Sequence, residues 1–286
     1  MQDMINAIDF EYDGHYLSEL GMMICSFNYG GGIETSEGAT ITFQTVKNSR
    51  HPKEYKISSG YGDALTCAVQ ICKIPEVARK DLNLESPQYF TGQEYANICG
   101  WLQRTDGFHR LTFIGLERDS SPIHYEATAT RIDKFKMRGN VIGLEIQFRT
   151  NCAFGFGDEI KQTIHASADY VAARRKSIVK FDDDIRTDVY PDLEIETRRA
   201  GYFKMQNLRN ETEFAIAECS AGERFTYDGN LGILISSTRG NVTDDMNFFR
   251  FRLTRNFFDD EDNEILIQTP SIVTFSYMPL RADITI

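Results

Sequence analysis

Apolar and polar residues alternate with a period of two along most of this chain. Ile8, Phe10 and Tyr12 alternate with Asp9 and Glu11, which predicts a half-buried strand. Asp13-Gly14 follows as a turn pair, because glycine takes positive φ freely and aspartate tolerates it. A polar step through Ser18 leads to a second strand starting at Gly21. Ser26 to Gly38 reads as a loop around Gly30-Gly31-Gly32, and Ala39 to Val46 alternates again through Ile41 and Phe43. Two more strands are predicted at Glu54 to Ser58 and Ala64 to Lys73, the latter placing Leu65, Cys67, Val69 and Ile71 on one face.

One stretch has helical spacing. Tyr95, Ile98, Cys99 and Leu102 form one stripe, and Thr91 with Glu94 matches a capping box, predicting a helix over 92–104 that stops at Asp106-Gly107. Trp101, the only tryptophan, lies beside this stripe and reads as a core anchor. Strands resume at Arg110 to Leu116, Ile123 to Phe135 and Val141 to Thr150. In the last, Ile142, Leu144, Ile146 and Phe148 face one way and Glu145, Gln147 and Arg149 the other. Glu159 to Arg175 is polar and alanine-rich, so the domain boundary belongs near Asn151 to Gly157.

From Ser177 onward the chain reads as short strands separated by turns, as in a β-sandwich or barrel. They are Ser177 to Phe181, Asp192 to Thr197, Tyr202 to Asn207, Glu213 to Ile216, Arg224 to Asp228, Gly232 to Ser236, Asn247 to Leu253, Glu264 to Gln268 and Ser271 to Tyr277. The expected fold is mainly β in two domains: 1–153, strand-rich with one helix, and 154–286, all β.

Composition narrows the class. The chain has 286 residues, 41% hydrophobic and 12% aromatic, enough for one large or two ordinary cores. A formal charge of −11 argues against wrapping phosphates. The cysteines at 25, 67, 72, 99, 152 and 219 have no zinc spacing, fall mostly in apolar runs, and read as reduced thiols. The first residues do not read as a signal peptide, and no run approaches the roughly 20 apolar residues of a membrane helix.

Chemistry-bearing patterns are scarce. His15, His51, His109, His124 and His165 are not at metal-ligand spacing, and there is neither a G-x-S-x-G elbow nor an H-E-x-x-H pair. The glycine triplet lacks the Lys-Ser/Thr sequel of a phosphate loop. Two acidic clusters, Asp182-Asp183-Asp184 with Asp188 and Asp259-Asp260-Glu261-Asp262, offer oxygens to a cation but lack EF-hand spacing, and read as charged loop tips. No catalytic, cofactor-binding or metal residue is assigned.

A resemblance runs through these elements in order. The opening Phe10-Glu-Tyr-Asp-Gly14, followed by Leu17-Ser-Glu-Leu-Gly-Met-Met-Ile24, resembles the N-terminal signature of distal tail proteins of long-tailed (siphophage-type) bacteriophages. The likeness continues through Trp101-Leu102 at the helix end, Phe108 to Leu111, Tyr125 to Ala127 and the strand Val141 to Phe148. Gly222 to Gly229 resembles the family's Gly-Glu turn, and Asn263-Glu264-Ile265 with Phe275-Ser-Tyr277 resembles its closing strands. The chain departs from the family at the long acidic stretch Thr254 to Asp262 and at Cys152-Ala-Phe-Gly-Phe156.

The resemblance implies a tail-tube-like N-terminal β-sandwich with one helix and a galectin-like C-terminal sandwich. It implies a homo-hexameric ring at the distal end of the virion tail. The ring would join the tail tube protein to the tail-tip hub and dock receptor-binding or baseplate proteins, with no enzymatic activity or cofactor. DNA would pass through without specific binding, and no membrane partner is implied. Phe27 to Glu37 and Asn48 to Lys53 are candidates for arms that reach neighbouring subunits or the hub. Two alternatives are an adaptor of a phage-tail-like particle and a carbohydrate-binding module. For the module, Tyr202, Phe203, Phe257 and Phe258 would be the stacking residues.

Overall fold

The computed structural model describes residues 7–27, 41–47, 53–62, 64–74, 89–115, 122–167, 177–179, 188–247, 250–254 and 262–281. They fall into two compact units, one within 1–157 rejoined from Arg281 onward and one within 158–280.

The first unit opens with β1 (Ala7–Tyr12), β2 (His15–Tyr16), a 3-10 turn (Leu17–Leu20) and β3 (Met22–Ile24). Asp13 and Gly14 both have positive φ, 53° and 80°, the geometry of a primed hairpin turn. Phe10 and Tyr12 are fully buried, but Ile8 is exposed, because the pairing register shifts between Ala7 and Asp9 and breaks the alternation there. Next come β4 (Ile41–Lys47), β5 (Glu54–Tyr61), β6 (Thr66–Lys73), α1 (Gly92–Leu102), β7 (His109–Gly115), β8 (His124–Met137), β9 (Asn140–Thr150) and β10 (Gly155–Phe156). The main sheet runs β2-β1-β7-β8-β9-β6-β3. Off that path, β10 pairs with β8 and with β21 (Leu280–Arg281).

The core of this unit gathers the inward faces that the alternation predicts: Phe10 and Tyr12, Val69 and Ile71, Leu144, Ile146 and Phe148, with Ile98 and Leu102 from α1. The capping box forms, with Glu94 N–H donating to Thr91 Oγ1 (3.2 Å) and Thr91 N–H to the Glu94 carboxylate (2.7 Å). Trp101 stacks on Phe10 (5.7 Å between rings, 10° between planes), and its Nε1 donates to the Tyr12 carbonyl at 3.1 Å. The helix stops at Leu102 rather than Arg104. Arg104 leaves it to pair with Asp13 and Asp106, which pins the β1–β2 turn.

The second unit contains β11 (Ile160–Ala166), β12 (Ser177–Val179), β13 (Asp192–Thr197), β14 (Gly201–Asn207), β15 (Glu213–Cys219), β16 (Arg224–Asp228), β17 (Ile233–Ser236), β18 (Gly240–Asn241), β19 (Asn263–Ile267) and β20 (Ser271–Tyr277). One sheet runs β11-β20-β13-β16-β17-β18 and the other β12-β19-β14-β15. Their inner faces merge in one core. Leu193, Ile195, Phe225, Tyr227, Val273 and Phe275 of the first meet Phe203, Met205, Phe214, Ile216, Ile265 and Ile267 of the second. The Phe214 and Tyr227 rings touch across the layers at 4.8 Å. The unit is therefore a two-layer β-sandwich.

Two expectations are corrected here. The polar stretch after Glu159 contains a strand: β11 pairs along its whole length with β20 and buries Ile164 and Ala166. Conversely, Asn247 to Leu253 is not a strand in its described residues, although Phe251 and Leu253 are buried. The Asn247 side chain bridges the Glu213 carbonyl (2.8 Å) and the Ala215 N–H (2.7 Å), taking the place of a ladder. Among the described residues here, Met246 and Leu253 make isolated bridges, to Ile216 and Val189 respectively.

A buried charge organises the β16 end of this sandwich. The Glu223 side chain is 1% exposed. Its carboxylate accepts from Ser236 Oγ (2.5 Å), the Ser220 N–H (2.7 Å), Thr238 Oγ1 (3.0 Å) and Arg239 Nε (3.0 Å). Burial alone would raise its pKa, but these four donors outweigh it and pull the group down to about 2.

Candidate assembly surface

β4 and β5 pair with each other and with no other described strand. Their residues are mostly β-branched or aromatic, which suits an extended pleat. Ile41 stands opposite Tyr61, Phe43 opposite Ser59 and Val46 opposite Tyr55, with a register shift between Gln44 and Thr45. The shift and the step from Phe43 to Val46 put apolar side chains on both faces of the ribbon. Ile41, Phe43, Val46, Tyr55 and Ile57 are each more than half exposed, Ile57 most at 66%. None of the five joins the core of the unit.

The ribbon holds itself with polar contacts: Ser58 Oγ to Gln44 (2.9 Å), Thr45 Oγ1 to Glu54 (3.3 Å), and the Lys56 ammonium over the Phe43 ring at 5.3 Å. Its base is tied to the unit by Tyr61, whose ring meets Phe154 edge-on at 4.5 Å. Between Ile41 and Tyr61 the sequence carries Lys47, Arg50, Lys53 and Lys56 against the single acid Glu54, in a chain of net charge −11. A sheet of two strands with bare apolar faces and a basic composition is a surface built to be covered.

The arm candidate at Asn48 to Lys53 lies in sequence between β4 and β5; of it, only Lys53 is described. Of Phe27 to Glu37 only Phe27 is described, packed on Phe135 with ring centroids 4.8 Å apart. Reading by alternation located β4 and β5 but not their exposure. The signal lay in the break of parity at Val46 together with the local excess of cations.

The histidines and acidic residues singled out in the sequence are placed as follows among the described residues. His109 Nε2 sits 2.9 Å from Asp106, and its Nδ1 lies 3.5 Å from Asp13. Arg104 binds both acids and, ahead of His109, draws the Asp106 carboxyl down to about 2. His124 is buried against Arg110 and Thr112, while His15 and His165 are exposed, and His51 lies outside the described residues. Asp182 to Asp184 and Asp259 to Glu261 also lie outside them. Asp188 accepts from Arg252 (2.7 Å) and Thr254 (2.8 Å). Among the described residues no three His, Cys, Asp or Glu are grouped to hold a metal ion. Of the aromatic residues considered for sugar stacking, Phe203 is in the core, Tyr202 is exposed, and Phe257 and Phe258 are outside the described residues.

Residues 5–152 match a family described as a phage tail protein N-terminal domain, and residues 154–277 one described as a phage tail C-terminal domain. No sequence among the curated proteins matches the chain. Among solved structures it is similar to SPP1 Dit (gp 19.1), described as a paradigm of the hub adsorption apparatus in phages infecting Gram-positive hosts. That match has 11% identity and a TM-score of 0.64 over 95% of this chain and 98% of that one, so the fold is shared. The phage P2 baseplate in its activated conformation with Ca follows at 10% identity and a TM-score of 0.40, over 86% and 89% of the chains, too low a score to carry an argument.

Proposed function

Since the chain belongs to a family of phage tail proteins, we propose that it acts as a distal tail protein. Six copies close into a ring that joins the tail tube to the tail-tip hub and docks baseplate or receptor-binding proteins. It is a structural component of the distal virion tail and performs no catalysis. The fold shared with SPP1 Dit supports this reading.

The observation that carries it is the β4–β5 ribbon. A patch on one subunit that fits a different patch on the next makes a heterologous contact, and such contacts close into rings when the rotation allows. Apolar faces on a protruding ribbon are suited to lie along a neighbour, and its cations suit the acidic remainder of that neighbour. A net charge of −11 also leaves a ring little affinity for DNA in transit.

The test is particle mass by sedimentation and ring formation by electron microscopy, with and without the tail tube protein. The wild-type chain assembles, alone or on the tube. Phe43→Asp with Ile57→Asp removes two contacts worth about 1.5–3 kcal/mol each, weakening association at least about 100-fold. The monomer keeps its fold, because neither side chain enters the core. A wild-type protein that stays monomeric at high concentration with the tube protein present would refute the ring. An unaffected double variant would refute the ribbon's part in it.

A further inference from the structure

Cys25 and Cys72 lie side by side on two paired strands. Met23 pairs with Cys72 in the β3–β6 ladder, and the Cys25 N–H donates to the Gln70 carbonyl at 2.8 Å, so Cys25 continues the ladder opposite Gln70. Residues two apart share a face of a strand, so Cys25 and Cys72 are diagonal neighbours on one face. Val69 and Ile71 point the other way into the core, as does Met22, so the cysteine face is the outer one. Both thiols are half-buried and free, and each is in the electrostatic reach of the other.

The two thiols affect each other in opposite senses. The neighbouring Cys72 thiol, with burial adding to the effect, holds Cys25 above the usual thiol range, while Cys25 holds Cys72 below it. Three of the other cysteines contrast with this pair. Burial pushes Cys67 up to about 12 and Cys219 up to about 11, and raises Cys152, leaving them protonated and unreactive. A readily ionised thiol beside a second thiol is the arrangement of a nucleophile and its resolving partner. β3 is a three-residue edge strand, free to yield as the sulfurs close to the roughly 2.05 Å of a disulfide.

We propose that Cys72 and Cys25 form a redox-active dithiol site for small disulfides of the glutathione class, closing to a disulfide that fastens β3 to β6 across the segment carrying the β4–β5 ribbon. The Cys72 thiolate attacks one sulfur of oxidised glutathione, forming a mixed disulfide and releasing one glutathione thiolate. Cys25 then loses its proton and attacks the Cys72 sulfur, and the second glutathione leaves. Two protein thiols are oxidised, one disulfide is reduced to two glutathiones, and the protein's protons pass to them. The site would stay open in a reducing cytosol and close after release from it.

The experiment uses the full chain, purified reduced and equilibrated with oxidised glutathione, then alkylated and mapped by non-reducing mass spectrometry. The expected result is one cross-linked peptide pair joining Cys25 to Cys72, with the other four of the six cysteines alkylated. Cys25→Ser keeps a hydrogen-bond donor but no resolving sulfur, so glutathione remains on Cys72. That adduct forms at least about tenfold faster than any at Cys67, Cys152 or Cys219. Both residues alkylated in the oxidised wild type, or an adduct spread evenly over the cysteines, would overturn the assignment. The wild-type map stands even if the variant misfolds.

Discussion

Glu223→Gln is the most direct probe of the second unit. The change keeps the shape and one acceptor oxygen but removes the charge and places an NH2 group among donors. Oε1 receives Ser236, Thr238 and Arg239, and Oε2 receives the Ser220 N–H. If the amide oxygen takes the three-donor side, its NH2 meets the Ser220 N–H and that bond is lost. A charge-assisted bond contributes about 1.5–3 kcal/mol. Arg239, with its side chain 35% exposed and also paired to Asp245 at 2.5 Å, recovers part of its loss in water.

Linkage gives an independent figure. Lowering the pKa from 4.5 to about 2 corresponds to roughly 3 kcal/mol of stability, at 1.36 kcal/mol per pH unit. Because the folded value is depressed, this stability is present above pH 4.5 and is lost as the pH falls toward 2. The first route gives about 1.5–3 kcal/mol for the lost bond, and linkage gives roughly 3 kcal/mol, at the upper end of that range. The assay is urea unfolding from pH 7 to pH 2.5, following the second unit by near-ultraviolet circular dichroism and the first by Trp101 fluorescence. The variant should lose about 3 kcal/mol at pH 7 in the second unit only, and should lack the wild type's decline below pH 4.5. A loss under about 0.5 kcal/mol, or an unchanged acid slope, would refute the reasoning.

Gly229→Ala should destabilise the second unit severely, by more than about 2 kcal/mol, because its Cβ would stand 2.3 Å from the Tyr190 carbonyl oxygen and 2.5 Å from that of Pro191, both backbone; thermal unfolding checks this. Gly14→Val forces a β-branched residue to φ near +80°, and Gly21→Val does so at +72°, each costing roughly 1–3 kcal/mol; Trp101 fluorescence should report earlier unfolding, and the proposed ring should assemble less well. Trp101→Phe loses the bond to the Tyr12 carbonyl and should lower the first unit's stability by about 1–2 kcal/mol in the same urea titration, with circular dichroism as the readout.

Much of the fold is visible in local pattern, where local physics decides. The capping box at Thr91 and Glu94, the turn at Asp13-Gly14 and the alternation in β9, β13, β16 and β20 each form where the residues point. Failures occur where a distant partner decides. Ile8 is turned outward by a bulge set by β7, and β11 is a strand only because β20 offers its edge. Asn247 satisfies with its side chain the groups a ladder would have satisfied. The ribbon is the instructive case. Its strands were legible, but the exposure of Phe43 and Ile57 depends on what the rest of the unit leaves uncovered, which no window of sequence records. The Cys25–Cys72 contact was hidden similarly, since it depends on the register of β3 against β6.

The pairing of β10 with β21 bears on how the chain is made. A strand at 155–156 waits for a partner at 280–281, so the sheet of the first unit is completed by residues that lie at the far side of the second unit in the sequence. All of the sandwich is translated before that pairing can form. A nascent chain stalled or truncated within the second unit therefore presents an unfinished first unit, its β10 edge still without β21.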